Sequence, residues 1–227
     1  MAHVISIEGL DGSGKQTLTE NLEARFADVG RSVATCGFPR YGETRASAGC
    51  AKYLNGGFGA LDEVSPWFSG MLFALDRAES RDHLLGLIAA HDIVVLDRYV
   101  ASNLVYQAAR LPAKKRGRLI DALVEVEFDI VQLPRPDLQI LIKGSAASSK
   151  SLLSRNAARS YTDKTLDVHE QDQDFLVTCG TIYDALAADD VIAPWEVISL
   201  FDGTGAIRPP DAIADEAWDR LVDRGFV

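Results

Sequence analysis

Two hydrophobic periods alternate along the chain. Residues 4–7, Val-Ile-Ser-Ile, form a short apolar run with one polar interruption, which predicts a strand. A glycine-rich turn follows, and Leu18, Leu22 and Phe26 then recur at helical spacing until Gly30 stops the pattern. Residues 32–37 predict a second strand. It ends at Phe38-Pro39-Arg40-Tyr41, because a proline nitrogen has no proton to give to a ladder. A weak helix over 44–54 leads into Asn55-Gly56-Gly57-Phe58-Gly59, a flexible joint. Ser65-Pro66 then supplies an N-cap with proline at the first helical position. Trp67, Met71, Leu72, Leu75, Leu84, Leu85 and Ile88 keep a period near 3.6 residues, so one long helix is expected from 66 to about 90.

Ile93-Val94-Val95-Leu96 is apolar without interruption, as in a strand covered on both faces of a parallel sheet. One or two helices fill 102–130 before Leu133-Pro134-Arg135-Pro136 breaks them. Further strands are expected at 138–142 and 196–201, and helices at 169–188 and 211–223. Residues 144–168 are small, polar and charged with no steady period, and are expected to be a mobile segment. Strands separated by helices imply right-handed crossovers into one sheet. The expected fold class is therefore α/β, a three-layer arrangement of five parallel strands with helices on both faces. No repeat or linker divides it, so residues 1–227 are expected to form a single domain.

Composition narrows the partners. With 227 residues, 47% apolar and 25% charged, the chain has the make-up of a globular protein and not of a disordered or fibrous one. A net charge of −10 argues against nucleic acid as a partner, since neutralising a phosphate backbone needs a basic surface. Lys114, Lys115, Arg116 and Arg118 form a basic cluster, balanced downstream by Asp121, Glu125, Glu127 and Asp129, which together predict a solvated helix face. Cys36, Cys50 and Cys179 are odd in number and far apart, so neither a disulfide framework nor a zinc site is encoded. His3, His83, His91 and His169 show no metal spacing either. Residues 1–10 lack a basic leader, and no apolar run approaches the ~18 residues of a membrane span. A cytoplasmic protein with no membrane partner is expected.

The chemistry begins at Gly9-Leu10-Asp11-Gly12-Ser13-Gly14-Lys15, which leaves a predicted strand and opens a predicted helix. That is the setting of a phosphate-binding loop. Glycines let main-chain N–H groups wrap a polyphosphate, the helix amino end adds about half a positive charge, and Lys15 reaches the outer phosphates. The motif asks for Ser or Thr after the lysine, to offer a hydroxyl to Mg²⁺, but the chain has Gln16, with Thr17 one step later. One residue turns a helix by about 100°, so Thr17 does not simply replace that hydroxyl, and the metal must lean on other oxygens or water. A second cluster, Asp97-Arg98-Tyr99, leaves the buried strand at the same sheet edge, where open parallel sheets bind ligands.

Four blocks now stand in order: Glu8-Gly9-Leu10-Asp11-Gly12-Ser13-Gly14-Lys15, Phe38-Pro39-Arg40-Tyr41, Leu72-Phe73-Ala74-Leu75-Asp76-Arg77 and Asp97-Arg98-Tyr99-Val100-Ala101-Ser102-Asn103. In this order the chain resembles the thymidylate kinases, phosphate-loop nucleoside monophosphate kinases, from residue 4 to about 190. The resemblance implies transfer of the ATP γ-phosphoryl group to dTMP with Mg²⁺, in a homodimer. ATP would lie on Gly9, Asp11, Gly12, Ser13, Gly14, Lys15, Gln16 and Thr17. It further implies that thymine stacks on Phe73 and is hydrogen-bonded by Arg77. Arg98 would grip the acceptor phosphate, and Asp11 would meet the 3′-hydroxyl and the magnesium shell. Asn103 and Tyr106 would face the sugar, where Tyr106 would crowd a ribose 2′-hydroxyl, and Phe38, Arg40 and Tyr41 would border the acceptor phosphate. Plainer readings stay open: a turn aspartate for Asp11, packing for Phe38 and Tyr41, and an ion pair with Asp97 for Arg98.

Phosphoryl transfer needs cations around the migrating group. Some members of that family carry an arginine in the phosphate loop and others on a lid. Gln16 is neutral, while Arg155 and Arg159 lie four apart in the polar segment, so a lid-arginine enzyme is expected, with catalysis by Lys15, Arg98, Asp11, Arg155 and Arg159. By the same resemblance Asp167 serves the sugar side, and Asp11, Asp97 and Glu170 are the candidate oxygens for Mg²⁺. The chain departs from the family at Val168-His169-Glu170-Gln171-Asp172, where the pattern has a tyrosine and a basic residue. Two rivals are a deoxynucleoside kinase and a regulator that binds nucleotide without transferring phosphate.

Overall fold

The computed structural model describes residues 2–147 and 172–227. Five strands form one parallel sheet: β1 (His3–Gly9), β2 (Val33–Gly37), β3 (Ile93–Asp97), β4 (Leu138–Lys143) and β5 (Trp195–Ser199), in the order β2-β3-β1-β4-β5. Strand β3, inside the sheet, explains its own composition. In β3, Ile93 and Val95 enter the core on one face of the sheet while Val94 and Leu96 enter the core on the other. A strand with both faces covered has no place for polar alternation.

The first face is covered by α1 (Lys15–Asp28) and α8 (Pro210–Asp223), through Leu18, Leu22 and Phe26 of the one and Ile213, Ala217 and Leu221 of the other. The second face is covered by α4 (Arg81–Ala90), α5 (Val100–Ala108) and α7 (Gln173–Ala188). Two further helices, α2 (Arg45–Leu54) and α3 (Pro66–Glu79), close a smaller cluster of Tyr53, Leu54 and Val64 at the edge of the molecule. No helix among the described residues is long and apolar enough to cross a membrane.

The structure corrects two expectations and decides one that stood between alternatives. The long helix from 66 to about 90 is two, α3 and α4, meeting at Ser80. The Ser80 hydroxyl donates to the Asp76 carbonyl at 2.8 Å, and hydroxyl back-bonding of this kind bends a helix. The segment 102–130 is α5, then α6 (Ala113–Val124), and α6 runs into a π-helical turn, Glu125–Ile130, where the Val131 amide reaches the Val126 carbonyl at 2.8 Å. Finally, Glu127, expected on a solvated face, is completely buried. Of the polar segment 144–168, only 144–147 belongs to the described residues; Arg155, Arg159, Asp167, His169 and Glu170 lie outside them.

Register places the candidate chemistry. Ile7 of β1 is level with Asp97 of β3, and Gly9 is level with Ile142 of β4, so the phosphate loop and Asp97-Arg98 leave the sheet at one carboxyl edge. Gly9 has φ +145°, and a Cβ there would sit 2.7 Å from the Ile142 carbonyl oxygen. Only glycine fits a backbone bent that far against a neighbouring strand.

Candidate active site

The phosphate loop spans β1 and α1. Gly12 and Gly14 hold positive φ, and Gly14 is the N-cap, with its carbonyl taking the Leu18 amide at 2.9 Å. Lys15 is buried, and its Nζ donates to the Leu10 carbonyl at 2.8 Å, across the loop. Burial and the Arg98 charge push the Lys15 ammonium down to about 8, against the pull of Asp11, Asp97 and Glu8. A cation so destabilised is ready for an anion. The Ser13 hydroxyl is buried with no hydrogen-bond partner among the described residues. Gln16, by contrast, is exposed and donates to Glu20 at 2.9 Å, and Thr17 is exposed beside it.

Arg98 lies opposite. Its φ is +65°, a conformation that costs a non-glycine residue and persists only where the surroundings enforce it. The enforcement is visible on both ends of the residue. The Arg98 amide donates to the Ile7 carbonyl at 3.0 Å, while its guanidinium donates to the Gly9 carbonyl at 3.2 Å, to Ser102 Oγ at 3.1 Å and to the Asp11 carboxylate. The ion-pair partner is thus Asp11, not the adjacent Asp97. Burial opposes the Arg98 charge, but Asp11 with Tyr106 and Tyr183 outweighs it and holds the guanidinium well above its ordinary range. Tyr106 donates to the other Asp11 oxygen at 2.8 Å, and its ring lies 5.5 Å from the Arg98 Cζ.

Three residues absent from the expected site hold this assembly. Glu8 is fully buried, accepting from the Tyr99 amide at 2.8 Å and from Ser102 at 2.6 Å. Burial pushes its carboxyl up, while Ser102, Arg98 and the Tyr99 amide pull it back. Tyr183 of α7 lies 3.0 Å from the Ser102 hydroxyl. The signal in the chain was Glu8 itself, a charge inside an apolar strand, which must be paired to be tolerated.

A second assembly involves Arg77 of α3. It is 3% exposed, and its Nε and Nη2 both donate to the Glu127 carboxylate, the Nε bond at 2.9 Å. Burial opposes the Arg77 charge, but Glu127 more than offsets it and raises the guanidinium above its ordinary range. Asn103 Nδ2 donates to the Gly70 carbonyl at 3.0 Å and to Glu127 at 3.1 Å. Asn103 and Tyr106, expected side by side, therefore divide: Tyr106 joins Asp11 and Arg98, whereas Asn103 joins Arg77. Positions i and i+3 differ by about 60° around a helix, enough to serve neighbouring clusters. Phe73 is half-buried in the Tyr53 cluster with Tyr41, its ring 6.0 Å from that of Tyr53. Phe38 is buried against Tyr99, and the Arg40 amide donates to Asp76 at 3.1 Å, which ties that loop to α3.

Comparisons with known proteins point to one family. The family model described as thymidylate kinase matches residues 7–193. The chain belongs to the thymidylate kinase family. A thymidylate kinase of Mycobacterium tuberculosis is 39% identical over 212 residues, 92% of this chain and 98% of that one. The thymidylate kinase of Xanthomonas euvesicatoria pv. vesicatoria is 33% identical over 226 residues, 97% of this chain and 85% of the relative. The solved thymidylate kinase of Candida albicans has the same fold, with a TM-score of 0.72 at 20% identity over 99% of this chain and 93% of that one.

Thymidylate kinase family membership raises the matter of Mg²⁺. No group of three or more His, Cys, Asp or Glu side chains capable of holding a metal gathers among the described residues. A magnesium ion that arrives on a nucleotide needs only one or two carboxylates besides phosphates and water. Asp11 and Asp97 both act on the charge of Lys15, so two hard oxygen donors lie at the loop, and the unpartnered Ser13 hydroxyl adds a third polar group. This donor set fits such an ion.

Proposed function

We propose that the chain, acting as one domain over residues 1–227, transfers the γ-phosphoryl group of ATP to dTMP, giving ADP and dTDP for dTTP synthesis in the cytoplasm. The observation that carries this reading is Arg98: a half-buried, left-handed arginine fork aimed across the sheet edge at the loop that holds Lys15. A planar fork suits the oxygens of a phosphate monoester, and a nucleoside acceptor would call for a carboxylate base at that place instead.

In the proposed reaction, main-chain amides of 9–15 and Lys15 hold the donor phosphates. Arg98 exchanges part of its bond to Asp11 for the phosphate of dTMP, and Tyr106 keeps Asp11 oriented toward the sugar. An acceptor phosphate oxygen attacks the γ-phosphorus in line, the bond to the β–γ bridging oxygen breaks, and ADP leaves with that electron pair. The acceptor is already anionic, so no side chain has to remove a proton. Asp11 and Asp97 would hold Mg²⁺, which when bound would supply charge neutralisation on the phosphates. Arg155 and Arg159 are proposed to add positive charge in the transition state, and Asp167 and Glu170 to close the sugar and metal sides. Phe73 and Arg77 are proposed to take the base, and Phe38, Arg40 and Tyr41 to line the acceptor phosphate. The working unit is proposed to be a homodimer joined through α3, which leaves Trp67, Phe68, Met71 and Leu75 exposed.

An ADP-release assay with dTMP, thymidine, dUMP and dGMP tests the reading. Turnover is expected with dTMP foremost. Turnover of thymidine without dTMP would assign the chain to the deoxynucleoside kinases, and ATP binding without any turnover would make it a regulator.

A further inference from the structure

The mechanism just described leaves Glu127 without a role, although no side chain among the described residues is less exposed. It is 0% exposed, carries a charge, and comes from the one π-helical turn among the described residues. A wide turn inserts a residue and redirects side chains, and such turns recur at functional sites. Here the turn sets a carboxylate between α3 and α5, where it meets two residues fifty and twenty-four positions away.

The chemistry of those two bonds is one-directional. A carboxylate only accepts, so it takes donors from whatever touches it. It takes Nε and Nη2 of Arg77, which leaves Nη1 as the guanidinium nitrogen with no bond to a described residue. It also takes Nδ2 of Asn103, and the Gly70 carbonyl takes the same nitrogen. With both of its amide neighbours acceptors, the Asn103 side chain has a single orientation, and its Oδ1 is buried without a partner. The pair therefore offers a ligand the free NH2 group of Arg77 Nη1 as donor and one carbonyl acceptor.

We infer that Glu127 is a positioning residue that fixes the polarity of base recognition: through Arg77 and Asn103 it presents a donor and an acceptor to the imide edge of a pyrimidine. An imide edge, with a carbonyl beside an N–H, matches that pair. The amidine edge of a cytosine, with a ring nitrogen beside an amino group, opposes it at both positions. The inference rests on the proposal that Arg77 takes the acceptor base, and it extends that site to Asn103, which shares the Glu127 carboxylate with Arg77. A buried ion pair of this sort is weak evidence for stability in itself, and its specificity role is open to direct measurement.

The experiment compares dTMP with 5-methyl-dCMP, which keeps the methyl group and reverses donor and acceptor on the ring edge. Glu127→Gln retains the volume but can donate, so the Asn103 amide gains a second orientation. The KM for dTMP is expected to rise about tenfold, more than kcat falls, and the preference in kcat/KM for dTMP over 5-methyl-dCMP to shrink by about tenfold, with KM for ATP unchanged. A merely structural role would lower the melting temperature and leave that preference alone; an unchanged preference overturns the inference. Arg77→Gln separates the two levels. If Arg77→Gln leaves the KM for dTMP unchanged, the base-site proposal itself fails; if it raises that KM while Glu127→Gln leaves the preference intact, only the positioning role fails. Should Glu127→Gln melt below the assay temperature, Glu127→Asp replaces it, keeping an acceptor-only group withdrawn by one methylene. It is then expected to raise the KM for dTMP several-fold with the preference retained, and an unchanged KM overturns the inference.

Discussion

The donor loop and the acceptor pocket proposed to hold phosphate are built by opposite means. On the donor side the proposed contacts come from the main chain of seven consecutive residues, Gly9 to Lys15, with Lys15 the cation. On the acceptor side nothing is contiguous. Asp11, Arg98 and Tyr106 come from three elements and are held by Glu8, Ser102 and Tyr183 from β1, α5 and α7. A main-chain cradle is set by backbone shape and tolerates change in most side chains. A side-chain pocket depends on each member having its partner, because a buried charge that loses its counter-ion is costly.

The sharpest break in the comparison is expected at Lys15, the cation of the donor loop. Lys15→Ala should lower kcat by about a hundredfold or more, the scale of losing one preorganised stabilising group, with the fold intact by circular dichroism. Full rate and full ATP affinity in that variant would remove the phosphate-loop assignment. Arg98→Ala is expected to reduce kcat/KM for dTMP by a factor approaching the same hundredfold while leaving the KM for ATP near its starting value. It should also lower the melting temperature, since Asp11 loses its ion pair, whereas Lys15→Ala should not.

Proton titration distinguishes the halves more gently. Lys15 is a cation whose pKa is depressed from 10.5 to about 8 in the folded chain. Between those values the unfolded chain binds the extra proton, so this group's contribution to stability rises with pH across that window. Donor affinity moves the other way: above about pH 8 the ligand-free ammonium is lost, and the KM for ATP should climb by at most tenfold per pH unit. A KM for ATP that stays flat from pH 7 to about 9 would contradict the destabilised ammonium. Arg98, held charged by Asp11, should give dTMP affinity no such dependence. The smallest effect is expected at Tyr106→Phe, which removes one hydrogen bond to Asp11 at 2.8 Å and should cost about two- to tenfold in kcat/KM for dTMP.

The same division explains what was legible in the chain. The strand-loop-helix unit around Gly9–Lys15 was readable because its glycines, its lysine and its flanking apolar periods lie within one stretch. The apolar run at 93–96 announced a doubly covered strand for the same local reason. Ser80, Glu127 and Tyr183 were not readable. Ser80 bends a helix whose apolar period continues through it, and Tyr183 looks like any aromatic on an apolar helix face. Glu127 stands among Asp121, Glu125 and Asp129, where every neighbour suggests solvent, yet a π-helical turn carries it inward to Arg77.

By itself, the sequence determined the alternation of strands and helices, the glycine-shaped cradle at the end of β1 and the order of the chemical blocks, since each depends on residues close together in the chain. Tertiary structure alone decided which partner each enclosed polar group received: Asp11 rather than Asp97 for Arg98, and Glu127 for Arg77 and Asn103. The reason is physical. Backbone conformation responds to near neighbours, whereas a charge in a low-dielectric interior takes whatever counter-ion the packing of distant elements brings within reach.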